Sequence, residues 1–150
     1  MNPSLRWIPY GSPAYALCVA LRTEVLRRPL GLHFTEASLA EEQGCHHLAV
    51  FDGDSLVACL LLQELGPDIT GQVSIQMRQV AVDPALQRSG LGRLMVLESE
   101  AEARRRGFTR MVLHARDTAV PFYERLGYAK VGQPFVEVGI GHQEMAKLVG

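Results

Sequence analysis

Apolar residues recur along the chain with two periods, and the switches between them divide it into elements. Residues 5–8 read as a short first strand. Residues 13–28 then place Leu17, Cys18, Leu21 and Val25 on one helical face. Ser12-Pro13 supplies an N-cap and a proline at the first helical position, and Pro29 ends the helix. An apolar loop, 29–34, precedes a short second helix that starts at Thr35 or Ser38, runs through Glu42 and ends at Gly44. Two apolar runs, 46–51 and 55–65, flank Asp52-Gly53-Asp54, a hairpin signal.

A turn at Gly66-Pro67-Asp68 leads into a long strand, 72–82. Val73, Ile75 and Met77 share one parity along it, and Val80 and Val82 have the other. A period-2 pattern changes parity only through an extra residue, which predicts a β-bulge near residues 78–80. The next helix, 91–106, is expected to bury Leu94, Met95, Leu97 and Ala101 and to turn Glu98, Glu100 and Glu102 outward, with Gly107 as its stop. Strand 110–116 follows. A strand–helix–strand unit crosses over right-handedly, so this strand should lie parallel to 72–82. Asp117 or Thr118 is the expected cap of helix 119–126, which Gly127 ends; strands 128–131 and 143–148, joined by a loop over 132–142, close the chain. The order βααβββαβαββ predicts an α/β fold, a mixed sheet of about seven strands with helices on both faces.

Composition narrows the class. The chain has 150 residues, 47% hydrophobic and 21% charged, which suits one globular domain with its own core. A net charge of −1 argues against nucleic acid or an anionic membrane as the main partner. Cys18, Cys45 and Cys59 sit in apolar runs and read as reduced core thiols of a cytoplasmic protein. His46-His47 is an adjacent pair whose side chains diverge on a strand, and no metal-ligand spacing is present. No apolar run is long enough to span a bilayer.

The chemistry concentrates in residues 77–107, where an apolar strand, a Pro-containing turn and a glycine loop lead into the long helix. Gln87, Gly90 and Gly92 form Q-x-x-G-x-G as the helix begins, with Arg88 and Arg93 at its flanks. A helix start carries unpaired N–H groups and a partial positive charge, and glycine lets backbone approach an anion closely. The stretch reads as a pyrophosphate-binding turn. The Walker pattern requires Gly-Lys-Ser/Thr, which is absent; the dinucleotide fingerprint requires a third glycine and a carboxylate ending the next strand, where His114-Ala115-Arg116 stands instead.

The strand Val80-Ala81-Val82-Asp83-Pro84 followed by this loop resembles the acyl-CoA site of the GNAT acetyltransferase family. Residues 119–128, AVPFYERLGY, resemble that family's A-x-x-F-Y-x-x-x-G-[FY] helix. The resemblance implies a splayed sheet and acetyl-CoA as cosubstrate, held by Val80, Ala81, Val82, Gln87, Arg88, Ser89, Gly90, Leu91, Gly92 and Arg93. Phe122 is a further candidate contact, although core packing accounts for it better. The Val82 N–H is the candidate to polarise the thioester carbonyl. Tyr123 matches the family position that protonates the departing sulfur.

An attacking alkylamine must shed a proton, and Glu137, His114, His142 and Glu144 are the candidate acceptors. Residues 135–145, FVEVGIGHQEM, resemble the E-x-G-I-x-H-x-x-M ending of ElaA-like members, and Arg22–Leu26 resembles their R-x-x-V-L/F segment. That likeness favours Glu137 or His142 at the acceptor. Many members carry Asn seven residues before the tyrosine; Arg116 stands there, so that contact does not carry over. Arg116 is open between a CoA phosphate, an acidic acceptor and solvent.

The expected activity is N-acetylation of a small amine by direct attack. Other readings are a non-catalytic acyl-CoA sensor and an acetyltransferase acting on a protein lysine or N-terminus. Exposed final strands often pair in such folds, so a homodimer is an expectation alongside the monomer.

Overall fold

A computed structural model describes residues Met1–Gly150. Its elements are β1 (Pro3–Ile8), α1 (Pro13–Arg22), α2 (Glu36–Ala40), β2 (His46–Asp52), β3 (Ser55–Glu64), β4 (Ser74–Val82), α3 (Leu91–Arg105), β5 (Arg110–Arg116), α4 (Val120–Arg125), β6 (Ala129–Lys130), β7 (Phe135–Glu137) and β8 (Ile140–Leu148). This is a mixed α/β fold with eight strands, mostly antiparallel. The chain divides into two units, Met1–Gln63 with Arg78–Glu98, and Glu64–Met77 with Ser99–Gly150. β4 and α3 each contribute one half to each unit.

In the first unit β1 pairs antiparallel with β2, and β2 with β3. The β2–β3 turn is Gly53-Asp54, with Gly53 at φ +61°, a conformation glycine adopts without a Cβ penalty. Cys18, Ala49, Phe51, Cys59 and Ala81 are buried together, and Ile8, Leu21, Val25 and Leu56 pack against them. The expected single helix over 13–28 stops at Arg22. It widens into a π-turn, Thr23–Arg27, closed by the Arg28 N–H donating to Thr23 O, and then tightens into a 3₁₀ turn, Arg28–Leu30. Thr23 Oγ1 donates back to Val19 O (2.8 Å), a local bond that competes with regular helix. Arg22 points inward at the break and is buried, whereas Leu17, expected inside, is exposed.

In the second unit β4 runs parallel to β5, in the register Ser74↔Arg110 to Met77↔Leu113. β5 pairs antiparallel with β8 along its whole length, and β6 and β7 both pair with β8. β7 lies inside the stretch expected to be a plain loop. Its turn, Val138-Gly139, has φ +47° and +75°, the two positive values of a type I′ hairpin.

The inward face of α3 also differs from expectation. Leu91, Met95, Val96, Ser99, Glu100 and Ala103 are buried, while Leu94 and Leu97 are exposed. Glu100 tolerates burial because it accepts from Lys147 Nζ (3.0 and 3.2 Å) and from the Tyr128 hydroxyl (2.8 Å). α4 begins after a 3₁₀ turn, Asp117–Ala119, and its N-cap is Ala119 with no side-chain cap, so neither Asp117 nor Thr118 caps it. No helix is long and apolar enough to cross a membrane.

Candidate functional site

The glycine loop lies in the first unit. Asp83 Oδ1 accepts from the Ala85 N–H (2.9 Å) and starts a 3₁₀ turn, Pro84–Leu86, after which Gln87 is extended. Ser89 Oγ donates to Leu86 O, and Gln87 Nε2 reaches towards Val82 O. Arg88 has φ +67° and Gly90 φ +92°, so two left-handed residues bend the chain into α3. The Gly90 carbonyl accepts the helix's first bond, from the Leu94 N–H (3.1 Å). The N–H groups before Leu94 therefore have no carbonyl of their own helix to bond.

Leu91 is buried and anchors this turn, whereas Gln87, Arg88, Ser89, Gly90 and Arg93 are exposed and Gly92 is half-buried. A Cβ placed on Gly90 would meet no atom within 4 Å, so the space over the loop is open. Open space, donor N–H groups and two arginines fit the diphosphate of acetyl-CoA.

Upstream, Gln79 takes φ +56°, at the place where the parity change predicted a bulge. Beyond it Ala81 is buried and Val80 and Val82 are half-buried. The Asp83 N–H donates to Val57 O (2.8 Å) on β3. Successive N–H groups of a strand point to opposite edges, so that of Val82 is directed away from β3.

The second unit carries the ionisable candidates. Tyr123 on α4 is 6% exposed, with its ring 5.0 Å from that of half-buried Phe122 and 5.8 Å from that of Tyr128. Burial pushes its phenol up to about 12, so the hydroxyl keeps its proton at neutral pH. The turn leading into α4 lies against β8: a Cβ on Gly141 would sit 2.1 Å from Asp117 Oδ2, so any larger residue there would have to displace that carboxylate.

The four proton-acceptor candidates converge on three strands. His114 on β5 is directly opposite Glu144 on β8, and Arg116 is opposite His142. β7 adds Glu137 and Phe135, the latter opposite His142. His114 Nδ1 lies 3.2 Å from Glu137 Oε2, and its Nε2 lies 3.7 Å from Glu144 Oε1. The His114 ring meets Phe135 edge-on at 5.0 Å, and Phe135 stacks on His142 at 5.9 Å. His142 is buried, with Nδ1 2.8 Å from Ile140 O, which assigns the proton to that nitrogen. His142 therefore sits beneath the cluster, while His114, Glu137 and Glu144 are accessible.

The sequence named His114 among four candidate acceptors without placing it beside Glu137 and Glu144, and gave Phe135 no part. Cross-strand register, which the sequence does not display, brings them together.

Comparison with known proteins gives this arrangement its context. The family model described as an acetyltransferase (GNAT) domain matches residues 33–149. YyaT of Bacillus subtilis (strain 168) is 29% identical over 119 residues, 76% of this chain and 72% of that protein. A crystal structure from Lactobacillus plantarum, of a protein provisionally assigned as an N-acetyltransferase, superposes with a TM-score of 0.79 at 26% identity, covering 97% of this chain and 99% of the other. Escherichia coli ElaA shares the fold at 20% identity, with a TM-score of 0.78 over 97% of this chain and 99% of its own. The strand, glycine loop and helix that open α3 and the tyrosine helix that follows β5 thus have their explanation: the chain belongs to the GNAT family of N-acetyltransferases.

Proposed function

We propose that this enzyme passes the acetyl group of acetyl-CoA directly to the primary amine of a small molecule, with Tyr123 as general acid. Buried Tyr123, protonated at neutral pH, is the observation that carries the reading. The amine nitrogen attacks the thioester carbonyl carbon, the carbon–sulfur bond breaks, and sulfur takes a proton from the phenol. The phenol is replenished by the proton that the new amide nitrogen sheds. The apolar setting that disfavours phenolate also disfavours a bare thiolate, so the transfer occurs as sulfur charge develops. The cosubstrate's diphosphate is assigned to the loop of Gln87, Arg88, Ser89, Gly90, Leu91, Gly92 and Arg93, and its thioester carbonyl to the Val82 N–H.

The test is thiol release from acetyl-CoA against alkylamines, amino acids, polyamines and short peptides, with Tyr123→Phe in parallel. An accepted amine on which the variant loses about 10²- to 10⁴-fold in kcat, while still binding acetyl-CoA, supports the reading. Tight acetyl-CoA binding with no turnover on any acceptor favours a sensor instead. Turnover confined to peptides favours a protein substrate.

A further inference from the structure

We propose that His114 takes the proton from the acceptor's ammonium group, and that the Nε2–Glu144 gap selects an alkylammonium with no neighbouring carboxylate. The proposal rests on the acetyl-transfer reading above. An ionised Glu137 only accepts hydrogen bonds, so the 3.2 Å contact places a proton on His114 Nδ1. To act as a base the imidazole must be in its neutral form, in which this is its one N–H and Nε2 keeps its lone pair. That lone pair faces Glu144 Oε1 at 3.7 Å, which is beyond a hydrogen bond and sets two acceptors against each other. A cationic N–H donor is the chemistry that satisfies both. An acceptor with its own carboxylate would bring a third negative charge to Glu137 and Glu144.

The ring is held for this task. Phe135 meets it edge-on and is itself stacked on buried His142. The side chains of His114, Glu137 and Glu144 are 36%, 49% and 39% exposed, so a solute reaches them.

The cluster also lies on the correct side of the strands. Met111 and Leu113 share one face with Lys147 and Met145, and Lys147 reaches Glu100, which also binds Tyr128 beside the Tyr123 ring. Alternation puts His114 and Glu144 on the opposite face. Acid and base thus stand on opposite faces of β5, and His114 is the first residue past the end of the parallel register with β4.

The step balances. The ammonium gives one proton to Nε2, forming an imidazolium between Glu137 and Glu144, and the neutral amine attacks. After sulfur leaves as the thiol, the imidazolium returns its proton to water.

Rates from pH 6 to 9 on the best amine, for wild type and His114→Gln, test the assignment. His114→Gln is expected to fall about 10²-fold at pH 7 and to recover roughly tenfold per pH unit as the free amine deprotonates itself. Glu144→Gln is expected to raise KM about tenfold with little change in kcat. Glu137 and Glu144 flank the ring and the Arg116–His142 pair lies beyond it on the same face, so the same profile on Glu137→Gln separates a loss that belongs to His114 from one caused by a changed neighbour.

A His114→Gln loss that is equal at every pH, or no loss, overturns the proposal while leaving acetyl transfer intact. Butylammonium is the binding probe: it should shift the His114 ring C2 proton in the NMR spectrum of wild type, and butanol should not. That shift without any turnover retains the cation site and sinks the transfer reading. No shift overturns the proposal.

Discussion

Two groups of charges in this molecule are assembled in contrasting ways. In the first unit Arg22 and Glu42 pair through both guanidinium ends, at 2.8 and 2.5 Å, with their side chains 2% and 4% exposed. Tyr15 donates to the same carboxylate (2.9 Å), and His47 Nε2–H donates to the Glu42 carbonyl (3.0 Å). Burial opposes the charge on Arg22, but its bonds to Glu42 outweigh that and hold its pKa above the ordinary value. Burial and the bond to Glu42 likewise push the Tyr15 phenol upward.

The His114 group in the second unit has the opposite character. It is accessible: the His114 ring lies between two carboxylates, 3.2 Å from Glu137 Oε2 and 3.7 Å from Glu144 Oε1, and all three side chains are open to solvent. A sealed group bonded to its own neighbours fixes a fold, whereas an open one can be reached by a ligand. Polarity alone does not separate the two; burial does.

The contrast can be broken most forcefully at Glu42. Glu42→Ala leaves a buried guanidinium uncompensated and should cost about 3–5 kcal/mol of stability in urea unfolding. Replacing the pair with Arg22→Met and Glu42→Leu should recover most of that loss; a double variant as unstable as the single one would show that the pair is more than a sealed unit.

Acid gives a smaller effect. Burial lowers the His47 pKa despite its bond to the Glu42 carbonyl, so the unfolded chain takes up a proton there before the folded one does. Stability from this site is complete above about pH 6.5 and falls as pH drops from there towards the lowered folded value. Chemical denaturation between pH 7.5 and 5 should therefore show a shallower decline in His47→Gln than in wild type.

The smallest effect is expected in the open group. Glu144→Gln should change unfolding free energy by no more than about 0.5 kcal/mol. A loss of several kcal/mol there would place it with Arg22–Glu42 and erase the distinction.

What could be read from the sequence was local. The Asp52-Gly53-Asp54 hairpin, the glycine loop, the parity change that marks Gln79 and the parallel partner of β4 all depend on neighbouring residues or on chain handedness, and each is present. Two features depended on distant partners and a third on an unusual turn residue. Arg22 turns inward because Glu42 receives it, and Glu100 does so because Lys147 and Tyr128 do. β7 was hidden because its turn begins with Val138, a β-branched residue in a left-handed conformation, where turn chemistry favours Asn, Asp or Gly. The site followed the same division: the loop and Tyr123 stand in continuous motifs, and the acceptor cluster is assembled by the pairing of β5, β7 and β8.

That assembly bears on how such an enzyme can change. Phe135, Glu137 and His142 all lie on the single hairpin of β7 and β8, closed by its own two-residue turn. The hairpin's share of the proposed acceptor side is thus written in a few consecutive codons, well separated from the stretch that encodes the glycine loop. Recombination or a handful of substitutions confined to this cassette would change the groups around His114 and leave the glycine loop untouched, a short evolutionary step by which the proposed acceptor side could be varied on its own.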